Sequence, residues 1–359
     1  MRLVSLEITH LRNLTQVSIS PAAGLNLVVG ANASGKTSLL EAIHFLGLGR
    51  SFRTRSAREV IQWGGDALRV VGRIAQAAGG TTVVGVERDR GALRARVAGS
   101  PARNAAALAE YLPVQILTPE SHKLIAEGPR FRRQFLDWGV FHVEQNFLSA
   151  WQDYHRALQQ RNAALRRGEG ERSLDQWERV LVTEGERLDG MRDRYLKILQ
   201  PHVDVVSEQL LGVSPGLDYS PGWQRGEALE EVLRTQRMRD RERGHTGSGP
   251  HRADLKVTWH DMEARTVLSR GQLKLVVAAL RLAQVALLRE KTGQGVVWLV
   301  DDLAAELDAT HRGRLMGLLA ASGDQVFVSA TERAQLETDG WESARVFHVE
   351  HGKVAEVIQ

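Results

Sequence analysis

The sequence predicts an α/β fold with an all-helical arm domain inserted in it. Strand-like and helix-like segments alternate near both ends of the chain, whereas the hundred or so residues after residue 121 carry apolar residues at helical spacing. We therefore expect one α/β domain from residues 1–120 and 245–359, and a helical arm from residues 121–244. No internal repeat and no sustained heptad pattern is visible, so a long coiled coil is not expected.

Local patterns predict the individual elements. Runs rich in β-branched residues predict strands at 2–9, 25–29, 67–74, 81–88, 92–99, 113–118, 253–259, 295–300, 325–330 and 344–349. Apolar residues at helical spacing predict helices at 36–49, 129–141, 147–167, 173–200, 271–290 and 309–320, with a short charged helix before residue 245. Residues 212–226, "GVSPGLDYSPGWQRG", are expected to be loosely structured.

Composition limits the classes of protein to consider. Of 359 residues, 43% are hydrophobic and 25% are charged, which is typical of a globular protein. The chain has seven Lys among 47 basic residues, and this arginine excess suits phosphate contacts, although high-GC codon usage produces it too. The absence of cysteine excludes disulfides and cysteine nucleophiles. With no signal-like start and no long apolar run, we expect a cytoplasmic protein without a membrane partner.

A phosphate-binding loop follows the second predicted strand. "GANASGKTS" fits the pattern G-x-x-x-x-G-K-[ST] and opens a predicted helix, which is the context that this motif requires. The glycines let backbone N–H groups face phosphates, Lys36 suits the β- and γ-phosphates, and the Thr37 hydroxyl suits Mg²⁺. A glycine turn that merely capped a buried helix would need no lysine. The residues expected to hold ATP and Mg²⁺ here are Gly30, Ala31, Asn32, Ala33, Ser34, Gly35, Lys36, Thr37 and Ser38.

Two carboxylates end a later apolar strand, "GVVWLVDD". Ligands of open α/β sheets lie at the carboxyl ends of strands, and adjacent carboxylates there favour a cation. We expect Asp301 to bind Mg²⁺ and Asp302 to orient or deprotonate the attacking water. The alternative is a solvent-exposed helix cap. Downstream, Glu306 and Asp308 lie near the same edge, and either could cap the helix that begins near Thr310.

The segment "VLSRGQLKLVVAAL", residues 267–280, places small and polar residues at the start of an apolar helix. A helix N-terminus favours an anion, although a capped core helix would show the same residues. With the other two motifs in order, the segment resembles the signature of ABC-type ATPases. That resemblance implies an ABC-type ATPase head in which Ser269, Arg270, Gly271 and Gln272 contact the γ-phosphate of ATP bound by a second copy, in an ATP-dependent homodimer.

The N-terminal "LEITHLRNL" resembles the SMC/RecN/RecF class, and the resemblance places Arg12 and Asn13 beside the nucleotide. The insertion is too short for long coiled arms. Similarity to the RecF family extends over "GRSFRT", "LPVQILTPES", "RRQFLDWGVFH", "QQRNAALR" and "GPHRADL". It implies slow, DNA-stimulated ATP hydrolysis, binding to duplex, single-stranded and gapped DNA, and action with RecR and RecO in loading RecA during gap repair, replication restart and the SOS response.

The chain departs from the ABC pattern at two positions. Asp302 stands where a glutamate is usual, and its shorter reach predicts slow turnover, as in a switch or clamp. No histidine follows "QVFVSA", so the γ-phosphate sensor is left open between Ser329 and Thr331. Gln115 is expected to contact Mg²⁺ or the attacking water, with an ordinary strand residue as the alternative.

Arginine-rich segments predict contacts to a DNA backbone. Residues 130–167 contain seven arginines and three acidic residues, and Arg234, Arg237, Arg239, Arg241 and Arg243 form a second run. Solvated helix faces are the alternative. Whether His251 and Arg252 contact DNA, a partner or their own fold is left open. Two other functions remain possible at this point: a P-loop kinase or transport ATPase that does not act on DNA, and a DNA-binding scaffold with a structural nucleotide site.

Overall fold

The computed structural model describes residues 1–76, 79–302, 307–332 and 340–357. The chain divides into two compact units, Met1–Ser121 with Thr292–Gln359, and His122–Lys291. The sequence placed the second boundary at residue 244, but residues 245–291 belong with the helical unit. The reason is that this segment contributes a sheet strand and a core helix whose partners lie in that unit.

The elements are as follows. The strands are β1 (Arg2–Leu11), β2 (Leu14–Ile19), β3 (Leu25–Val29), β4 (Ala67–Ala75), β5 (Thr81–Asp89), β6 (Leu93–Val97), β7 (Ser100–Pro101), β8 (Val114–Leu117), β9 (Gly216–Ser220), β10 (Asp254–Trp259), β11 (Met262–Glu263), β12 (Val297–Val300), β13 (Gln325–Ala330), β14 (Ala344–Glu350) and β15 (Lys353–Glu356). The helices are α1 (Lys36–Leu48), α2 (Ala57–Val60), α3 (Ala106–Tyr111), α4 (Lys123–Ala126), α5 (Pro129–Val143), α6 (Phe147–Arg167), α7 (Glu171–Leu211), α8 (Leu229–Arg243), α9 (Ala264–Val267), α10 (Arg270–Thr292) and α11 (Ala309–Ser322). Two 3₁₀ turns lie at Pro119–His122 and Pro250–Arg252.

The first unit contains two six-stranded sheets. One is antiparallel, with the order β2-β1-β4-β5-β6-β7, and we call it the outer sheet. The other, with the order β15-β14-β3-β13-β12-β8, is parallel except for β15, and we call it the central sheet. Strands β3, β12 and β13 are buried along their whole length, which explains their continuous apolar sequences.

Helix α1 packs against both sheets and carries the phosphate-binding loop at its N-terminus. Its residues contribute to one core cluster with side chains from both sheets, including Leu6, Val70, Leu299 and Phe327. Because α1 is covered on all sides, its start is held firmly relative to the carboxyl ends of the central strands. Those ends are where the two predicted carboxylates lie.

The second unit combines long helices with the three-stranded sheet β11-β10-β9. The expectation of a loosely structured segment at 212–226 is wrong, since β9 lies within it and pairs antiparallel with β10. Strand β9 is short, polar and flanked by prolines, so its own sequence does not predict a strand. It is recognised only by its pairing with β10, which is distant in sequence. Helix α10 is long and apolar enough to cross a membrane, but 72% of its apolar window is buried in the protein, as for a core helix.

Candidate functional site

The loop between β3 and α1 requires glycine at two positions. A Cβ atom on Gly30 would lie 2.2 Å from the carbonyl oxygen of Val349. Gly35 has φ +123°, and a Cβ atom there would lie 2.9 Å from the Asn13 amide nitrogen. The backbone therefore curls tightly against its surroundings at both positions, leaving Ala31, Asn32 and Ala33 as its exposed rim.

Lys36 is buried at the base of this loop, and only 8% of the residue is exposed. Its Nζ donates to the carbonyl oxygens of Gly30 (2.8 Å) and Ala31 (2.9 Å). An ammonium group has three donors, so one remains for an anion. The buried Ser34 hydroxyl has no hydrogen-bond partner among the described residues, which also fits a loop built to receive phosphate oxygens.

The side chains of Thr37 and Asp301 lie next to each other. The Thr37 hydroxyl lies 3.0 Å from Asp301 Oδ1 and 3.1 Å from Oδ2. Adjacent ligands of an octahedral Mg²⁺ lie about 2.9 Å apart, because Mg–O bonds measure roughly 2.0–2.1 Å. No group of three His, Cys, Asp or Glu side chains suited to a metal occurs in the described part of the chain. A pair of protein ligands fits Mg²⁺, which usually keeps water and phosphate as its other ligands.

Ser329 positions both carboxylate residues. Its hydroxyl donates to Asp301 Oδ1 (2.6 Å) and accepts from the backbone N–H of Asp302 (2.9 Å). Burial raises the pKa of Asp301, and the hydrogen bonds from Ser329 and Thr37 oppose that rise. Asp302 adopts a left-handed φ of 55°, an unusual conformation for a residue other than glycine. Since Ser329 is fully buried beneath Asp301, it acts here by orienting that carboxylate.

Arg12 and Asn13 both lie at the site. The Asn13 amide donates to the Ser34 carbonyl (2.9 Å) and its oxygen accepts from the Ser38 hydroxyl (2.9 Å), so it clamps the loop onto α1. The Arg12 guanidinium makes two hydrogen bonds to Glu41, at 2.9 and 2.8 Å. The Asn13 side chain of this β1–β2 turn therefore supports the phosphate loop from one side.

Glu41 and Arg53 are site residues that the sequence analysis missed. Glu41 is fully buried on α1, and Arg53 Nη1 lies 3.7 Å from its Oε2 atom. Glu41 thus holds two arginines beside the loop. For Glu41, the available signal was a carboxylate between apolar residues in "LLEAI" on α1.

A cavity of about 990 Å³ opens beside the loop within the first unit. Its lining residues are Arg12, Asn13, Ala33, Gly35, Lys36, Thr37, Ser38, Arg53, Arg58, Glu59, Ile61, Gln62, Trp63, Gly64, Gly65 and Arg90. Small-molecule and cofactor pockets usually measure about 300–1,000 Å³, so the volume suits a nucleotide. Four arginines and one lysine against one glutamate make the lining suitable for a polyanion.

Two other predicted residues lie elsewhere. Gln115 is buried on β8, in register with Trp298 and three residues before the level of Asp301. Along the strand, the backbone of Gln115 therefore lies about 10 Å from the level of Asp301, at roughly 3.3 Å per residue, and its contact with Mg²⁺ or the attacking water stays a prediction. Asp308 caps α11 by accepting from the His311 N–H (2.9 Å), whereas Glu306 lies outside the described residues.

The signature segment begins α10 in the second unit. The Ser269 N–H donates to Gln272 Oε1 (2.9 Å), and the Gln272 N–H approaches Ser269 Oγ (3.4 Å), which forms a reciprocal helix cap. Residues 269–272 are all exposed. A Cβ atom on Gly271 would meet nothing within 4 Å, so packing inside this chain does not explain a glycine there.

Most arginines expected to contact DNA are engaged within the protein. Carboxylates pair with Arg132, Arg156, Arg161, Arg167, Arg234, Arg237 and Arg241. Arg133 and Arg166 donate to backbone carbonyls. Of these twelve arginines, Arg130, Arg239 and Arg243 have no such partner in the described part of the chain. Internal contacts therefore engage nine of the twelve arginines, and Arg161, Arg237 and Arg241 pair with acidic residues of a neighbouring helix. DNA binding by the two basic segments stays a prediction.

His251 contacts its own fold. Its Nδ1 atom lies 2.7 Å from the Tyr154 hydroxyl, and its Nε2 atom lies 3.1 Å from the Thr246 carbonyl oxygen. Burial lowers the pKa of His251 to about 4, so the ring is neutral and donates through Nε2. This resolves the open role of His251 in favour of internal packing.

Comparison with known proteins agrees with this geometry. The family model of the RecF/RecN/SMC N-terminal domain matches residues 2–355. The DNA replication and repair protein RecF of Pseudomonas aeruginosa (strain LESB58) is 45% identical over 99% of this chain and 98% of its own length. The RecF of Thioalkalivibrio sulfidiphilus (strain HL-EbGR7) is 46% identical, over 98% of each chain.

Two solved structures are similar to this chain in fold. The recombination mediator protein RecF–ATP in the RecFOR pathway superposes with a TM-score of 0.90 and 26% identity, covering 99% of this chain and 97% of that one. An Smc head bound to the C-winged helix domain of ScpA has a TM-score of 0.59 and 15% identity, over 99% and 98% of the chains, and shows the fold alone. The fold is thus the ABC-type ATPase head with a helical domain, as predicted, and the chain belongs to the RecF family of DNA replication and repair proteins within the RecF/RecN/SMC group.

Proposed function

We propose that this chain binds ATP and Mg²⁺ in the 990 Å³ cavity and uses slow hydrolysis as a switch. One observation carries the proposal: Thr37 and Asp301 meet at 3.0 Å directly beside the buried Lys36. A loop lysine, a hydroxyl and a carboxylate in this arrangement suit a triphosphate chelated to a divalent cation. The ATP complex of the RecF relative supports the same ligand.

Each polar residue has a distinct task. Lys36 and the backbone N–H groups of residues 30–38 bind the phosphates, and Arg12 and Arg53, held by Glu41, add positive charge at the rim. Thr37 and Asp301 would hold Mg²⁺, whose chemistry is to neutralise charge that develops on the phosphate oxygens. Asp302 orients the attacking water, and its short side chain makes turnover slow.

We propose that the signature completes the site only in a homodimer. Glycine in a helix costs about 1 kcal/mol relative to alanine. Gly271 faces open space in its own chain, so close approach by another molecule accounts for it best. The exposed and pre-capped residues Ser269, Arg270, Gly271 and Gln272 would contact the γ-phosphate held by the partner subunit.

The RecF relatives are DNA replication and repair proteins, and one solved relative belongs to the RecFOR pathway. We therefore propose that the ATP-bound dimer clamps duplex or gapped DNA in the cytoplasm, that DNA stimulates its weak ATPase, and that it acts with RecR and RecO in loading RecA. Gap repair, replication restart and the SOS response are the processes in which such a clamp would operate.

Sedimentation velocity with saturating ATP and Mg²⁺ tests the switch. We expect the wild-type protein to dimerise with ATP and not with ADP, and Ser269→Arg to bind ATP normally but remain monomeric. Thr266→Arg, another exposed position before the same helix, is the matched control and should dimerise. A wild-type protein that stays monomeric with ATP, with or without DNA, would contradict the dimer, and normal pairing by Ser269→Arg would contradict the role of the signature.

A further inference from the structure

We infer that the exposed face of the outer sheet binds the phosphate backbone of duplex DNA, an inference that rests on the proposed DNA-binding function. This face is the one turned away from α1. The opposite face packs Leu68, Val70 and Ile74 of β4 into the core with α1, so Arg69 and Arg73 on the same strand point outward. The arginines that we assign to DNA here are therefore not those of the two basic helical segments.

Strand register shows which side chains share the exposed face. Arg69 lies opposite Thr9 and Glu87, and Glu87 lies opposite Arg94. Arg73 lies opposite Ser5 and Val83, while Arg96 lies opposite Gly85. Directly paired residues project on the same side of a sheet. The charged residues of this face are Arg2, Arg69, Arg73, Arg94 and Arg96, with Glu7, Glu87 and Asp89, and five positive against three negative charges leave +2.

Most arginines of this face have no internal ion pair among the described residues, which favours binding of an external anion. Arg94 pairs with Glu87 (2.9 Å) and with Asp89 (3.2 Å). Among the described residues, Arg69, Arg73 and Arg96 have neither a carboxylate nor a hydrogen-bond partner, and all three are exposed. A phosphate can therefore bind them without first breaking an internal ion pair.

The spacing of the three arginines suits a nucleic-acid backbone. Arg69 and Arg73 are four residues apart on one strand, about 13 Å, and Arg96 lies two strands away at the level between them, about 12 Å from each. The small residues Val71 and Gly85 pair at the centre of this triangle. Long arginine side chains therefore surround a flat area of short side chains, against which the phosphate backbone of a duplex can pack.

The chemistry of the face selects duplex over single-stranded DNA. None of the six strands contains Phe, Trp or Tyr. Proteins that hold single strands usually stack bases on aromatic rings, which this face does not offer. Arginines on a flat sheet face lie against the phosphate backbone and do not enter a groove, where guanidinium groups read bases, so binding should be independent of sequence and sensitive to salt.

Fluorescence anisotropy with a labelled 30-base-pair duplex, in ATP and Mg²⁺ and over a range of salt concentrations, tests the inference. The triple variant Arg69→Ala, Arg73→Ala and Arg96→Ala should bind at least about 10-fold more weakly at physiological salt. Its salt slope should fall by roughly 2–3, because each phosphate contact contributes about 0.9. The matched control replaces Arg130, Arg239 and Arg243, the other unpaired arginines considered above, with alanine and should bind almost normally.

None of the six arginines has a side-chain partner among the described residues, so both triple variants should fold, and ATP binding together with circular dichroism checks this. Weakened binding by the control and normal binding by the sheet variant would place DNA on the helical unit and overturn the inference. Normal binding by both would also overturn it, and would leave the face to an acidic protein partner. Equal loss on a single-stranded 30-mer would refute the duplex preference. Absence of duplex binding by the wild-type protein would contradict the proposed function itself.

Discussion

In the helical unit, the fully buried guanidinium of Arg161 lies between Glu178 at 2.8 Å and Asp240 at 2.7 Å. In the phosphate loop, the buried ammonium of Lys36 is held by two backbone carbonyls and, among the described residues, by no carboxylate. Burying a charge is costly unless it is paired. Arg161 has its counter-charge inside the chain, whereas Lys36 has none among the described residues, as expected of a lysine that binds an anionic ligand.

The largest expected effect comes from breaking the internal pair. Arg161→Leu leaves the buried carboxylate of Asp240 without its ion-pair partner and leaves Glu178 paired with Arg237 alone, and it also removes a hydrogen bond to Thr246. We expect the free energy of unfolding to fall by about 3–5 kcal/mol. Urea denaturation followed by circular dichroism measures it. Arg156→Ala, on the exposed side of the same helix with a 3.6 Å pair to Asp153, should change stability by less than about 1 kcal/mol.

A similar stability for the two variants would show that the buried cluster contributes as little as a surface pair. The contrast between Arg161 and Lys36 would then not hold, because a buried, internally paired charge would stabilise the fold no more than an exposed one does.

The second effect concerns ligand affinity and not stability. Lys36→Met removes the charge that the loop presents to phosphates but keeps an apolar chain of similar length. We expect ATP affinity to fall by about 100-fold, roughly 2.7 kcal/mol, with the free energy of unfolding of the apo protein changed by about 1 kcal/mol or less. Isothermal titration calorimetry with Mg–ATP measures the first quantity. A loss of stability as large as that of Arg161→Leu would mean that Lys36 is a structural charge as well.

The phosphate loop, the acidic strand and the signature could be predicted from the sequence because each is continuous in the chain. Strand β3, the loop and α1 follow one another, so residue spacing alone predicts that Gly30 and Lys36 share one turn. Local pattern also predicted most of the strands and long helices. It did not reveal β9, whose partner β10 begins 34 residues after β9 ends.

Interactions between distant residues were beyond sequence reasoning. Arg237 on α8 looked like a DNA contact until its carboxylate partners Glu171, Asp175 and Glu178 appeared on α7, about sixty residues away in sequence. Ser329 holds Asp301 from a neighbouring strand, 28 residues later. A charge run therefore carries little information about binding until the partner of each charge is known.

The smallest expected effect concerns Asp301, whose buried carboxylate accepts, among the described residues, from hydroxyl groups only. Because burial raises its folded-state pKa above the unfolded value, the folded state binds this proton more tightly than the unfolded state does. The contribution of Asp301 to stability therefore decreases as pH rises from the unfolded pKa through the folded pKa, and at neutral pH the ionised carboxylate destabilises the apo protein.

Asp301→Asn removes this charge while keeping an oxygen that can accept from Thr37 and Ser329. We expect the apo protein to be as stable as the wild type or more stable by up to about 1 kcal/mol at pH 7, with no gain below the unfolded pKa near 3.8. Mg²⁺-dependent tightening of ATP binding should be lost in the same variant. Glu350→Gln, an exposed carboxylate on β14, is the control and should change neither quantity. A variant that is clearly less stable at neutral pH would show that the Asp301 charge is satisfied within the chain, as Arg161 is, and does not depend on a bound cation.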